Sequence, residues 1–409
     1  MKKSILIIIT GLLSLTVLGQ SFEQEKINAS AFDSLKVKLG ADFAIQYQGL
    51  GHHADSALIP LGKNIILPTA NMIITADLAP GVRVKLTTYL SSRHHPETWV
   101  KGGYLVFDHL PFIKSHFIDK IMEVSTLKAG VMELNYGDAH FRRSDNGNVI
   151  NNRFTGNYIM DAFTTAPAFE YLFRKKGILA MAAVTTGSLR PDLAGYSSFS
   201  GQYSSYNIGE ELGFYGKVGY DGQVTEKLRI RGTVSAYYTG NHHFGSLYYG
   251  ERAGSRYYLV MNRITDSAED VDISSNHTSG RWSPGFTDRN RSLMFNLFAR
   301  CGGFEFFGTL ENATGTSAFG GQEFNFTQYA AEALYFFGNK EQFYAGARYN
   351  LVKNKQQMSV KRLQAAAGWH LTDNILVKAE YIDQDYSGFT EYGSDAGFKG
   401  LMIEAAVSF

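Results

Sequence analysis

A mixed-charge segment runs from Asn135 to Asn157. Asp138, His140, Arg142, Arg143, Asp145 and Arg153 are interleaved there with Gly137, Gly147 and Gly156. Opposed charges on a glycine-bearing loop suit a transverse field across a narrow aqueous neck, which sorts solutes by charge without making or breaking bonds. A second set of cations recurs at alternate positions along extended stretches: Arg83, Lys85, Lys128, Arg229, Arg231, Arg300, Arg348 and Lys378. Lined up on one wall, they would raise the local concentration of anions. Lys36, Lys38, Lys217 and Arg362 share that pattern, against fewer acids at Asp42, Glu170, Glu305, Glu332, Glu380 and Glu404. The histidine pairs His52-His53, His94-His95 and His242-His243 could ligate a divalent metal. Adjacent side chains usually point apart, so no metal and no cofactor is assigned. His370 has no nucleophile beside it. Arg142, Arg143 and Asp145 lack the strand–glycine-loop–helix context that cradles phosphate. The residues therefore read as a passage, not as an enzyme.

The elements that must position these residues have period two. Leu35, Val37, Leu39, Ala41, Phe43, Ile45 and Tyr47 alternate with Lys36, Lys38, Gly40, Asp42 and Gln46, the pattern of a strand with one apolar face. The same alternation recurs at 82–90, 227–239, 291–300, 342–351 and 375–385. Sixteen strands are predicted: 35–47, 69–78, 82–90, 99–108, 124–133, 162–173, 178–187, 209–220, 227–239, 291–300, 304–311, 324–337, 342–351, 360–371, 375–385 and 398–409. Their connections alternate between tight turns, such as Ala79-Pro80-Gly81 and Thr372-Asp373-Asn374, and long polar loops near 48–64, 134–160, 188–208, 241–290 and 386–396. Short turns on one side and long loops on the other are what a transmembrane barrel requires. The fold class is thus all-β: an antiparallel transmembrane β-barrel of about 16 strands with short periplasmic turns and long extracellular loops. A short helical turn is possible at 111–123. Pro167 is expected at a bulge or strand mouth.

Composition agrees. In 409 residues, charged residues are 19% and aromatics 14%, with 42 Gly, 8 Pro and a net charge of +1. No apolar run of about twenty residues follows the N-terminus, which excludes a polytopic helical membrane protein. The aromatic content excludes a disordered chain, and the balanced charge excludes nucleic acid as the main partner. The single Cys301 excludes a disulfide scaffold.

Lys2 and Lys3 followed by the apolar stretch Ile5–Leu18 read as a cleavable signal peptide, residues 1–19. A short periplasmic segment, 20–34, would lead into the barrel, 35–409. The chain ends on Phe409, preceded by Leu401, Ile403, Ala405 and Val407 at alternate positions. A closing strand must pair with the first to abolish open edges, and its terminal ring belongs at the membrane interface. This ending resembles the closing strand of Gram-negative outer-membrane barrels, which implies recognition by the outer-membrane assembly machinery.

The stretches Ala79-Pro80-Gly81-Val82-Arg83-Val84-Lys85-Leu86, Gly103-Tyr104-Leu105-Val106-Phe107-Asp108 and Leu127-Lys128-Ala129-Gly130-Val131-Met132-Glu133-Leu134 resemble the phosphate-selective porin O/P-like group. That resemblance implies an outer-membrane porin whose third loop folds into the pore. The expected function is a water-filled channel for passive diffusion of small hydrophilic solutes, mildly anion-preferring, with phosphate or other oxyanions among them. Outer-membrane lipids are the expected surroundings and a homotrimer the analogous assembly. Two other readings fit the pattern. One is a barrel whose Tyr- and Arg-rich 241–290 loop, with Trp282, binds a ligand or surface. The other is a rim-site enzyme such as a lipid hydrolase.

Overall fold

The computed structural model describes residues 20–91, 97–145, 148–189, 196–197, 202–203, 212–240, 245–250, 253–265, 272–317 and 321–409. Residues 1–19, His94-His95, Gly147 and His242-His243 lie outside them.

Among the described residues, sixteen strands close into one antiparallel barrel. The first seven are β1 (Lys36–His53), β2 (Asn64–Ala79), β3 (Val82–Ser91), β4 (Trp99–Phe107), β5 (Ser125–Glu133), β6 (Thr165–Lys175) and β7 (Ile178–Thr185). The remaining nine are β10 (Gly213–Gln223), β11 (Leu228–Thr239), β12 (Asn290–Cys301), β13 (Phe304–Thr316), β14 (Glu323–Phe337), β15 (Phe343–Asn354), β16 (Ser359–Thr372), β17 (Ile375–Ser387) and β18 (Ala396–Ser408). A two-stranded ribbon, β8 (Tyr196–Ser197) with β9 (Gln202–Tyr203), decorates the β7–β10 loop. Each barrel strand pairs with its neighbour in the chain, and β18 returns to β1 through twelve residue pairs from Asp42↔Ser408 to His53↔Gly397. Phe409 completes the seam: its N–H donates to Ala41 O at 2.9 Å and its carbonyl accepts from Ala41 N at 3.0 Å. The anticipated helical turn is α1 (His116–Met122), N-capped by Ser115, between β4 and β5.

Each predicted strand is present; several ends moved outward, while β6 begins three residues later than predicted, β7 ends two residues earlier and β10 begins four residues later. β1 runs to His53, and β2 begins at Asn64 rather than 69. β2 therefore contains Pro68. It is tolerated because Ala44 pairs with Thr69 and Gln46 with Ile66, so Leu67 and Pro68 together face Ile45 across a bulge. Pro167 lies two residues inside the mouth of β6, opposite Val131. The period-two pattern places Lys36 on the lumen wall. It stands instead on the exposed start of β1, paired with Asp33 at 2.9 Å.

The two faces separate by chemistry. Outward positions carry exposed apolar side chains such as Val234, Phe295, Leu310, Leu363 and Ile403. At the turn end, Tyr335, Phe337, Phe343 and Trp369 form a continuous ring-on-ring ladder with centroids 6.5, 5.7 and 5.6 Å apart. Such ladders place amphipathic rings at a membrane–water interface. Phe295 is 45% exposed, between outward Val234 and Leu310 at mid-strand. A charge there meets hydrocarbon, so Phe295→Arg is expected to destabilise the barrel by roughly 2–4 kcal/mol. The measurement is urea unfolding in phospholipid vesicles, with Phe295→Leu as the neutral control.

Candidate functional site: the barrel interior

Loop L3, residues 134–164, leaves β5 and returns to β6, its base closed by Leu134 N donating to Thr164 O at 3.2 Å. Between those ends it turns into the lumen. Gly137 adopts φ +68°, and a Cβ there would collide with Met294 against the barrel wall. The loop then crosses to the far strands, which offer inward side chains as partners for its backbone. Asp138 N donates to Asn296 Oδ1 at 2.8 Å, Ile159 N to Asn350 Oδ1 at 2.8 Å, and Thr155 N to Glu380 Oε2 at 2.7 Å. Lys378 Nζ donates to the carbonyls of Asn152 and Phe154 at 2.7 and 2.9 Å. An irregular segment can cross a barrel interior only when its N–H and C=O groups are satisfied this way.

The six candidate residues of the loop are all brought inside. Asp138 accepts from Lys217 at 2.8 Å, from Arg231 at 2.8 Å and from Thr233 at 2.7 Å. Burial alone would raise its carboxyl, but these two cations outweigh burial and hold it below the ordinary carboxylate range. Arg142 reaches Glu305 at 2.9 Å and Glu332 at 3.0 Å, its guanidinium 4.9 Å from the Phe307 ring centroid. Arg143 joins Asp161 at 2.9 Å and Asp145 at 3.1 Å, and Lys101 pairs with Asp145 as well. His140 sits between Glu133 and Asn135, at 2.5 and 3.0 Å. Arg153 donates to Ile150 O at 2.9 Å and contacts His370 Nε2 at 3.0 Å. These charges close on one another and on the wall instead of facing each other across water.

The described segments of loop L5, residues 240–289, fill the other half. Its segment Arg256–Met261 carries three non-glycine residues at positive φ: Arg256 at 78°, Leu259 at 58° and Met261 at 65°. It is held by Gln46 donating to Arg256 O at 2.7 Å, by Gln48 donating to Tyr258 O at 2.8 Å, and by an ion pair of Arg256 with Glu404. Tyr257 donates to Glu380 Oε1 at 2.6 Å, and its ring packs where any side chain at Gly156 would be, so the two loops meet at a glycine. The composition of the 241–290 loop suits an external binding arm, but its described middle is a lumen filler.

The wall cations follow the same rule. Lys128 pairs with Glu170 at 3.0 Å, Arg83 with Asp77 at 2.5 Å, Arg229 with Asp221 at 2.8 Å, Arg300 with Glu305 at 3.2 Å, Arg348 with Glu332 at 2.8 Å and Lys378 with Glu404 at 2.8 Å. Arg231 takes Glu23 at 2.6 Å in addition to Asp138. Lys85 lines a small cavity of 30 Å³ beside Lys101. An aqueous bore was expected. At mid-height, however, Gln328, Glu332, Asn350, Gln364, Glu380 and Glu404 are each at most 2% exposed. The physical reason is that L3 and L5 cover the inward faces, which a period-two pattern cannot reveal.

Two cavities lie on either side of this packed layer. The turn-end cavity measures 1010 Å³, and among its described lining residues eight are basic and five acidic. The loop-end cavity measures 560 Å³. The segment assigned to the periplasm enters the first of them. Arg142 donates to Gln20 Oε1 at 3.1 Å and Arg229 to Gln20 O at 2.8 Å, while Phe22 packs edge-on against Phe141 and Phe298. Lys26 donates to Ser125 O at 2.9 Å.

Sequence reasoning missed this latch, as well as Lys101, Arg256 and Arg281. Lys101 lies at the β3–β4 register shift, where alternation breaks. The others sit in segments without period. Of the histidine pairs, His52 accepts from Met261 N at 2.9 Å and its Nε2 lies 2.8 Å from Ile59 O, and His53 faces Asp395 at 3.2 Å. No metal-ligand cluster exists among the described residues.

Burial raises the Glu23 carboxyl, and the Arg231 ion pair overcomes it, leaving it below the ordinary value. A carboxyl depressed in the folded state contributes stability above its unfolded value and loses it as pH falls through the folded one. Residues 20–27 are therefore expected to stay docked at neutral pH and to release below the ordinary glutamate range. Hydrogen exchange by mass spectrometry, corrected for intrinsic rates, checks this. Glu23→Gln should exchange faster already at neutral pH, and its protection should no longer vary across the acid range.

A closed sixteen-strand barrel with an apolar outside, short turns at one end and an inward third loop is the fold of outer-membrane porins and channels. In sequence, no protein family and no curated protein matches the chain. Among solved structures it is similar to the anion-selective porin from Comamonas acidovorans (9% identity, 92% of this chain and 100% of that one, TM-score 0.54). It is also similar to the outer membrane channel DcaP of Acinetobacter baumannii (9% identity, 92% and 99%, 0.53) and to Pseudomonas putida OprB (8% identity, 92% and 94%, 0.52). Likeness at these identities is likeness of fold.

Proposed function

We propose that the chain is an outer-membrane channel for small hydrophilic solutes. Residues 1–19 export it, and L3 and L5 hold it closed at mid-height in this state. The observation that carries the reading is the pair of polar cavities separated by a layer of loop segments. Besides apolar contacts such as those of Phe154, Ile159 and Met261, that layer is bound to the wall through many hydrogen bonds and ion pairs. Such contacts can be exchanged for water when the loops shift. Selectivity belongs to the turn-end vestibule. There the basic excess favours anions, phosphate among them, while the mid-height charges are mutually neutralised. L3, with Asp138, His140, Arg142, Arg143, Asp145 and Arg153, is the gate and the constriction. The channel is read as non-catalytic.

Planar-bilayer recording tests this. Brief openings of small conductance are expected, with a reversal potential in a KCl gradient displaced towards chloride. Silence at all voltages would remove the channel reading, and a cation-selective reversal potential would remove the anion clause.

A further inference from the structure

We propose that the β4–β5 connection is a lipid anchor. Its segment 110–121 lies along the headgroup–acyl boundary of the leaflet at the turn end, with Phe112, Ile113 and Phe117 immersed in phospholipid. The other turn-side connections are short: residues 80–81, 176–177, 224–227, 302–303, 338–342 and 373–374, most of them Gly, Asn, Asp, Lys or Glu. Residues 108–124 instead link β4 to β5 and carry α1. Phe112 is 68% exposed and Phe117 71%, with Ile113 exposed between them. Single exposed apolar side chains are ordinary on a surface, but a cluster in one short segment marks an interaction surface.

The position of the patch selects its neighbour. Val82, Phe107, Leu127 and Tyr171 are register partners in one row across β3, β4, β5 and β6. That row faces outward, since it alternates with the row of Arg83, Val106, Lys128 and Glu170 on the lumen side. Phe112 packs edge-on against Phe107 with centroids 6.3 Å apart. The patch is thus continuous with the lipid-facing surface of the barrel. A water-soluble partner covering it would have to enter the bilayer surface.

The helix is turned the same way. Phe117 and Ile121 share one face of α1, and Asp119 and Met122 share the opposite one. The second face belongs to the barrel: Met122 is 3% exposed, and Asp119 Oδ1 lies 3.4 Å from His109 Nε2. The segment after residue 19 fixes it there. Lys26 donates to Ser125 O at 2.9 Å and to Met122 O, and Ile27 N donates to Asp108 Oδ2 at 2.8 Å. Lys114 and Lys120 are exposed beside the patch. Their long stems let the ammonium groups reach lipid phosphates while the rings stay immersed. Apolar rings on one face with lysines at its margin are the pattern of a segment that lies in a membrane surface.

Nitroxide accessibility in phosphatidylethanolamine–phosphatidylglycerol vesicles tests this on the full chain in a Cys301→Ser background. Single labels are placed at Phe117→Cys, at outward Val218→Cys on β10 and at Asp373→Cys in a polar turn. The ratio of oxygen to nickel–EDDA collisions at 117 should exceed that at 373 roughly tenfold and approach that at 218, because oxygen concentrates in an apolar phase that excludes the nickel complex. Migration of unheated protein on SDS gels shows that each labelled chain is folded. Ile113→Cys keeps both phenylalanines, should give the same ratio, and decides the matter if Phe117→Cys does not fold. Nickel access at these positions equal to that at 373 overturns the anchor. So does exclusion of both reagents with dipolar broadening between labels, which would mean that a second copy covers the patch. Free nickel access at 218 as well would overturn the transmembrane reading together with the anchor.

Discussion

Replacing residues 136–162 with a three-residue Gly-Ser-Gly linker is expected to raise single-channel conductance roughly tenfold, towards that of an open barrel of this strand number. The base of L3 permits the deletion because Leu134 and Thr164 are already hydrogen-bonded across it. What is removed is the layer that excludes water from Asn296, Glu332, Asn350 and Glu380. Those wall groups would then be solvated, which costs little because they are polar. The barrel ladder is untouched, so heat-modifiability on gels should persist. Unchanged conductance in a folded variant would show that L5 alone seals the bore, since Arg256–Met261 still crosses the other half.

The second large effect is expected from Glu332→Ala. This β14 carboxylate is where three groups converge: Arg142 at 3.0 Å, Arg348 at 2.8 Å and the Tyr158 hydroxyl at 2.7 Å. All four are nearly excluded from solvent. Removing the anion strands two buried guanidinium groups, although Arg142 keeps Glu305. Breaking a buried pair from one side costs about 3–5 kcal/mol. The urea midpoint in vesicles should fall accordingly. Glu332→Gln, which keeps one acceptor oxygen but not the charge, should fall less. A double-mutant cycle with Arg348→Ala distinguishes the pair from general damage. If the single losses simply add, the ion pair carries no coupling and the account fails.

Much of the fold was legible in the sequence, and particular residues show why. Leu293, Phe295, Leu297 and Ala299 alternate with Asn296 and Arg300, and strand β12 follows directly. Period two is a local property, because the backbone sends successive side chains to opposite faces. Pro68 marks the limit. Its strand was begun after it, since a bulge is decided by the partner strand. The candidate site was legible as composition but not as arrangement. Asp138 and Arg142 could be named as lumenal charges. Their partners, Lys217 and Arg231 for one and Glu305 and Glu332 for the other, lie 79 to 190 residues away.

The sequence by itself determined the strand count, the two faces of each strand and which end carries the long loops. All three follow from alternation and turn chemistry within a few residues. Only the tertiary structure decided that the wall cations are paired, that the segment after residue 19 latches the turn-end mouth, and that L3 and L5 close the bore. Those outcomes depend on which polar groups meet once the barrel closes. A buried backbone or guanidinium must find a partner wherever the closed sheet places one, and no local pattern encodes that place.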